Sequence, residues 1–400
     1  MVDTRYPFCP PPLSSPRSAG GGKEGGKYPF RRSWRWHLVR LCDGILDFFA
    51  PHDRKAVFPE SIRNILVIRL DQIGDVVCAL PVFPILKRRF PSARVTALVS
   101  GEGKAVLEHN PFVDRIVVFG SNWFSRSGSV DLEELFRLTA DLRETRFELG
   151  FDLRGDLRTI AFMTASRVRY RIGYGIAGGA ALLHRMPDYD MSRHQVELNR
   201  NLVTDEPIDK RNLKPEIYLT LEETKEAWKR LDSFGVDRGS DLIAIHPEAG
   251  YPSKEWGDEK FIQLIEKLIR DAELKILVFG LNHARRVAEH FASSDRVVNL
   301  VSLLSLRQMI AVLHCCRLFV GNDSGPSHLA HALGLACVVI ASGTNEYERW
   351  GIWREPVTIR KHEVPCSPCH LPVCNVAGHP CMSEISVDDV LATIQSVAPC

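Results

Sequence analysis

The feature that most constrains this chain is an alternation, run twice, of short β-rich segments with helical ones. ILVIRL (65–70), RVTALV (94–99), RIVVF (115–119) and FELGFDL (147–153) form a first series, with helical patterns between them, the first over about 75–89. LIAIH (242–246), KILVFG (275–280), RVVNLV (296–301), RLFVGND (317–323) and ACVVIA (336–341) form a second. Such alternation predicts parallel strands joined by crossover helices. Two series of similar size predict two doubly wound α/β domains, and 400 residues are too many for one core. The boundaries read as 61–215 and 216–362. The segment near 188–215 is irregular, and KPEIYLTLEE leads as a linker into a new helix.

The flanks differ in character. Residues 1–32 are rich in Pro, Gly and Ser and read as a disordered tail. Over 33–60, Trp34, Leu38, Leu41, Cys42, Ile45, Phe48 and Phe49 recur at helical spacing, and Lys27, Arg31, Arg32, Arg35 and Arg40 make the start basic. A basic amphipathic helix with tryptophans suits an anionic membrane surface. It can equally pack on the protein's own body, and Asp43 and Asp47 count against the membrane. No stretch approaches the ~18–20 apolar residues of a membrane span, and no apolar signal-peptide core opens the chain. The expectation is a cytoplasmic protein, peripheral on the inner membrane face if the helix binds there. A formal net charge of +2 provides no global field for nucleic acid, so none is expected as a partner.

Ligands of doubly wound sheets bind beyond the carboxyl ends of the strands, and three post-strand loops hold the polar residues. After the first strand come Asp71, Gly74 and Asp75, with no GxGxxG dinucleotide fingerprint. Asp75 at a helix start either caps the helix or, facing a cleft, accepts the proton of an attacking hydroxyl. The loop from His246 to Trp256 carries Ser253 and Lys254, which suits phosphate, although a solvated surface lysine has the same appearance. In Asp323-Ser324-Gly325-Pro326-Ser327-His328, amides at a helix start can meet an anion, with Pro326 tolerated in the first turn. An ordinary cap by Asp323 or Ser324 is the simpler alternative. Asp188-Tyr189-Asp190 matches a metal–nucleotide DxD pattern but follows no apolar strand, and is read as chance.

Among eleven cysteines, Cys78, Cys315, Cys316 and Cys337 lie in apolar segments as buried thiols. Cys366, Cys369, Cys374 and Cys381 lie together in sixteen residues, with His370 and His379 nearby. They are candidate ligands of a structural zinc, with reduced thiols or a disulfide as the alternatives.

Taken in order, these segments resemble glycosyltransferase family 9, the bacterial lipopolysaccharide heptosyltransferases and their relatives, from about residue 62 to 395. ILVIRLDQIGDVVCALPVFPILKRRFP resembles that family's opening strand and helix, and FDLRGDLRTI and YRIGYG its late first-domain elements. HPEAGYPSKEW, VGNDSGPSHLAHALG and RWG (349–351) resemble its donor loops, and CSPCHLPVCNVAGHPCMSEIS its cysteine-bearing tail. The resemblance implies a GT-B fold, two Rossmann-like domains facing across a cleft, acceptor on the first and nucleotide sugar on the second. It implies inverting transfer, with heptose from ADP-heptose as the expected donor and a lipid-linked glycan, such as lipopolysaccharide core, as acceptor. Asp75 inherits the general-base role, Lys254 the phosphate, and Asp323 with the following amides the sugar and diphosphate. No metal or other cofactor is required. Two departures stand out. Glu248 replaces a usual glycine, and FGLNHARR (279–286) lacks the acidic residue that contacts the ribose. The rival readings are another NDP-hexose or deoxysugar donor, a non-catalytic nucleotide-sugar-binding protein and, more remotely, a Rossmann oxidoreductase.

Overall fold

A computed structural model of the chain describes residues 57–120, 131–207, 209–270, 274–353 and 357–397. The tail at 1–32 and most of the 33–60 segment lie outside the described residues.

The first domain runs β1 (Asn64–Arg69), α1 (Ile73–Ala79), α2 (Val82–Arg89), β2 (Arg94–Val99), α3 (Gly101–Leu107), β3 (Arg115–Val118), α4 (Leu132–Thr145), β4 (Leu149–Asp152), α5 (Leu157–Ala165), β5 (Tyr170–Gly173) and α6 (Gln195–Val203). The second runs α7 (Leu221–Asp232), β6 (Asp241–His246), α8 (Asp258–Leu268), β7 (Leu274–Val278), α9 (Arg285–His290), β8 (Val297–Asn299), α10 (Leu306–Leu313), β9 (Leu318–Asn322), α11 (Gly325–Ala332), β10 (Ala336–Ala341), α12 (Tyr347–Trp350), β11 (Val357–Lys361), α13 (Pro380–Ser383) and α14 (Val387–Val397).

Every strand pairs in parallel, in the orders β3-β2-β1-β4-β5 and β11-β10-β9-β6-β7-β8. Helices cover both faces, so central strands are buried throughout: after Asn64, every residue of β1 is buried. One apolar cluster joins the domains, with Val76, Val77 and Val196 of the first and Leu329, Ala330 and Ile352 of the second in the same core. The architecture is GT-B, two Rossmann-like domains facing across a cleft.

Three local expectations change. The helical stretch at 75–89 is two helices, broken at Leu80-Pro81, because proline lacks the N–H that a continuous helix needs. The short edge strands β5 and β11 went unread; Arg171 and Arg360 interrupt their apolar pattern. The irregular 188–215 segment contains α6, whose inner face carries Val196, Leu198 and Leu202 into the shared core. The Cys-rich segment and α14 also pack on the second sheet, through Cys381, Met382, Val390 and Ile394.

Candidate active site

Strand order locates the site. The first sheet reverses direction between β1 and β4, the second between β6 and β9. At such a switch the connections diverge and leave a crevice beyond the strand ends. The loops after β1 and β4 therefore border one crevice, and the loops after β6 and β9 the other.

At the first switch, Arg69 ends β1 with only 5% of its surface exposed. Its guanidinium meets Asp75 Oδ1 at 2.9 Å and Asp71 Oδ2 at 3.1 Å, and it donates to the Leu153 carbonyl beyond β4. Arg154 pairs with Asp71 from the other side, and Asp156 pairs with Arg158 at 2.8 Å. Opposite charges thus alternate across both loops and fix the Asp75 carboxylate at the start of α1, where it stays a quarter exposed. Gln72, the residue before α1, makes no side-chain cap, and Asp75 is the acidic residue of the first turn. Asp152, fully buried, closes the β4 turn by accepting from Gly155 N at 2.7 Å; burial pushes its carboxyl up to about 7.

At the second switch, Lys254 ends a 3₁₀ turn (Pro252–Lys254) and places Nζ 2.8 Å from Asp323 Oδ2 and 3.4 Å from the Asp323 carbonyl. Asn322, buried at the end of β9, ties the two loops together. It donates to the Pro247 carbonyl at 2.6 Å and accepts from Trp256 N at 3.1 Å. Gly321 permits this closeness, since a Cβ there would sit 2.7 Å from the His246 carbonyl oxygen. At the start of α11 the Ser324 hydroxyl donates back to the Asn322 carbonyl at 3.2 Å. The Ser324 and Ser327 amides are engaged within the turn, at 3.3 and 3.1 Å. Gly325, the first helical residue, has no carbonyl one turn behind its N–H.

The two switches face each other. A Cβ on Gly74 would come 3.2 Å from His328 Cδ2, and one on Gly325 would come 3.1 Å from Ile73 Cβ. The starts of α1 and α11 are therefore in contact. His328 is buried, which lowers its pKa; the carboxylates of Asp323 and Asp75 oppose that shift and Lys254 reinforces it. His328 thus lies within electrostatic reach of all three. Asp75, Lys254, Asp323 and the Gly325 amide share one groove, with His328 between the domains. A second junction closes the far side. There His194 Nε2 meets the Gly351 carbonyl at 2.9 Å, and Arg349 of the RWG segment bonds the Tyr189 hydroxyl.

Several singled-out residues have other duties. The Ser253 hydroxyl donates to the Leu371 carbonyl at 2.5 Å and is buried, so it faces the cysteine-rich segment and not the groove. His246 Nδ1 donates to the Glu248 carbonyl, 3.1 Å away, and burial lowers its pKa to about 4. Glu248 does not project beside the phosphate loop. Its carboxylate turns to the loop after β7, accepting from Leu281 N at 2.8 Å and Ala284 N at 2.6 Å, because those amides at the start of α9 need acceptors. Asp190 accepts from Ser192 N at 2.9 Å inside its own turn, an ordinary loop role for the DxD match.

Among the described residues no three His, Cys, Asp or Glu side chains form a group that could hold a metal, although Cys366, Cys369 and Cys374 all lie within electrostatic reach of Cys381. Cys381 turns into the core, Cys366 is exposed, and Cys374 Sγ lies 3.6 Å from the Val376 carbonyl. The segment straps the Lys254 loop. Ser253 N donates to the Pro372 carbonyl at 3.1 Å, and His379 Nε2 lies 3.1 Å from the Ser253 carbonyl.

Sequence reasoning passed over Arg69, Arg154 and Asn322. A buried-strand arginine in ILVIRL was the available signal for the first, because a cation there requires partners.

Two Rossmann-like domains, with a carboxylate at one switch facing a lysine and an open helix start at the other, define a GT-B glycosyltransferase. The chain belongs to glycosyltransferase family 9 (heptosyltransferase), whose family model matches residues 135–378. Lipopolysaccharide heptosyltransferase 2 of Salmonella typhimurium is 23% identical over 299 residues, covering 69% of this chain and 82% of that protein. Among solved structures, E. coli ADP-heptose lps heptosyltransferase II has a TM-score of 0.68 at 19% identity, covering 84% of this chain and 98% of that one. A family 9 glycosyl transferase from Veillonella parvula has a TM-score of 0.72 at 18% identity, covering 85% and 98%. Among the described residues, no helix is long and apolar enough to cross a membrane.

Proposed function

We propose that this enzyme transfers heptose from ADP-heptose, with inversion, to a hydroxyl of a lipid-linked glycan such as lipopolysaccharide core, at the cytoplasmic face of the membrane. The carrying observation is that Asp75 faces Lys254 and the start of α11 across His328. Asp75 takes the proton of the acceptor hydroxyl as its oxygen bonds the anomeric carbon. The anomeric C–O bond to the diphosphate breaks on the opposite face, and the electron pair leaves with the nucleoside diphosphate. Lys254 and the Gly325 amide are prealigned for that growing charge, so the step needs no metal. The relatives support the donor and acceptor classes, since they include lipopolysaccharide heptosyltransferases and one solved with ADP-2-deoxy-2-fluoro heptose.

Asp75→Asn is expected to lower turnover by at least ~100-fold while leaving donor affinity intact. Full turnover in that variant removes Asp75 as the base. A wild type that binds donor without transfer makes the protein a nucleotide-sugar binder.

One observation favours a different donor. The loop after β7 (Phe279, Gly280, Leu281, Asn282, His283) has no carboxylate of its own, and Glu248 is already committed to its amides. Mass-spectrometric screening of ADP-, UDP-, GDP- and dTDP-sugars decides between them. Transfer only from a non-ADP donor ends the heptose assignment.

A further inference from the structure

We infer that the edge of the first sheet where its strands begin is a docking surface for an anionic phospholipid bilayer. A parallel sheet brings all its strand starts to one edge, and this one places an arginine at or just before each. Arg94 opens β2 opposite Asn64, the residue after Arg63, and Arg94 N donates to the Arg63 carbonyl at 2.7 Å. Arg146 precedes β4 and Arg169 directly precedes β5. Arg88, in the last turn of α2, and Arg167, just after α5, come to the same edge because the helices run back against the strands. These six are exposed and make no ion pair among the described residues. The fifth strand, β3, starts with Arg115, paired to Asp141 at 2.6 Å.

Nearby carboxylates have other partners. Asp114 holds Lys87 Nζ and Val95 N, both at 2.6 Å, and Glu148 accepts from Arg63 N at 3.1 Å and Asn64 N at 2.8 Å. Glu60 and Glu144 are exposed acids close by. Cations at helix C-termini complement the dipole, which accounts for Arg88, for Arg146 as the C-cap of α4 and for Arg167, but not for Arg63, Arg94 and Arg169. Nor is the row a by-product of the architecture. On the second sheet Arg317 pairs with Asp241, and Lys275 Nζ donates to the Gly235 carbonyl at 2.5 Å.

The place where the chain enters the fold argues for a bilayer over other polyanions. The Phe58 ring packs edge-on against Tyr170, the first residue of β5 and the neighbour of Arg169, at 5.2 Å. The sequence preceding Phe58 therefore joins at this edge, and between residues 27 and 55 it carries seven Lys and Arg, three Asp, and both Trp34 and Trp36. Basic residues with tryptophan suit a headgroup interface. The six lie across β2, β1, β4 and β5, three strand spacings of about 4.8 Å or roughly 14 Å, a footprint wider than one headgroup. The inference does not depend on Asp75 or on the donor, since binding is read without either.

The test is sedimentation of the full chain with phosphatidylcholine vesicles, with and without 30% phosphatidylglycerol, at about 0.1 M salt. Each arginine near an anionic surface contributes about fivefold, so Arg63→Gln, Arg94→Gln and Arg169→Gln together should weaken partitioning on the order of 100-fold. Transfer to a soluble acceptor should stay unchanged. Arg146→Gln with Arg167→Gln, expected to lose about 25-fold, serves if the triple variant misfolds. Wild-type partitioning by both variants overturns the inference, as does equal wild-type binding to neutral vesicles. So does loss of DNA or heparin binding in the variants with vesicle binding intact.

Discussion

Lys254 and Asp323 form a pair whose two functions can be separated. Their charged atoms are 2.8 Å apart, with side chains only 12% and 10% exposed. At an effective dielectric near 20, the attraction is about 6 kcal/mol before desolvation is subtracted. Removing one partner of such a pair strands the other and costs about 3–5 kcal/mol, whereas removing both is often close to neutral. Lys254→Met should therefore destabilise by that amount, and Asp323→Asn similarly. The double variant should return to within ~1 kcal/mol of wild type, a coupling of about 3 kcal/mol or more in urea melts. Donor affinity should behave differently. A charge-assisted contact to phosphate is worth about 1.5–3 kcal/mol, so titration with ADP, UDP or GDP should show a loss of roughly 10- to 150-fold in Lys254→Met. The double variant should not regain it, because the cation is still missing. Nucleotide binding at wild-type strength in the double variant refutes the phosphate role. Stability that stays low there refutes the account of the pair.

Other outcomes follow from the same geometry. Gly74→Ala brings a Cβ to 3.2 Å from a buried His328 ring, so the α1–α11 contact should loosen at about 1–3 kcal/mol and kcat/KM should drop; wild-type kinetics count against the facing-switch site. Glu248→Ala leaves the Leu281 and Ala284 amides without their acceptor and should cost about 1–3 kcal/mol in denaturant stability, a result that an unshifted midpoint contradicts. Burial lowers His194, His246 and His331 to about 4, so the unfolded chain, with histidine near 6.5, binds more protons between those values. Their stabilisation is complete above about pH 6.5 and is lost as pH falls towards 4, at roughly 2 kcal/mol per histidine by pH 5. Asp152, raised to about 7, titrates in the opposite sense and offsets part of this. The net expectation is about 3 kcal/mol lower stability at pH 5 than at pH 7.5; equal urea midpoints contradict it.

What could be read beforehand was local. Central strands announced themselves because both faces are buried, and the polar loops stood out because they follow those strands directly. Edge strands β5 and β11 did not, since an arginine within four or five residues erases the pattern. Arg69 looked like one residue of an apolar run; its importance lies in partners up to 84 positions away, at Leu153. Glu248 was legible as a departure but not in its direction, which depends on two amides more than thirty residues later. For Ser253 the residue type suggested phosphate, while the actual partner, Leu371, lies 118 positions along. Side-chain chemistry is written locally, but orientation is decided by contacts that local periodicity does not encode.

The strap across the Lys254 loop has a consequence for the order of synthesis. The loop leaves the ribosome more than a hundred residues before the segment that holds Ser253 in place. Both sheets' central strands can thus assemble, with Asn322 tying the Lys254 loop to the loop after β9, while the bonds to Ser253 are still missing, and the candidate groove is finished among the last parts of the molecule. A nascent chain halted before Leu371 should be largely folded yet weak in binding a nucleoside diphosphate.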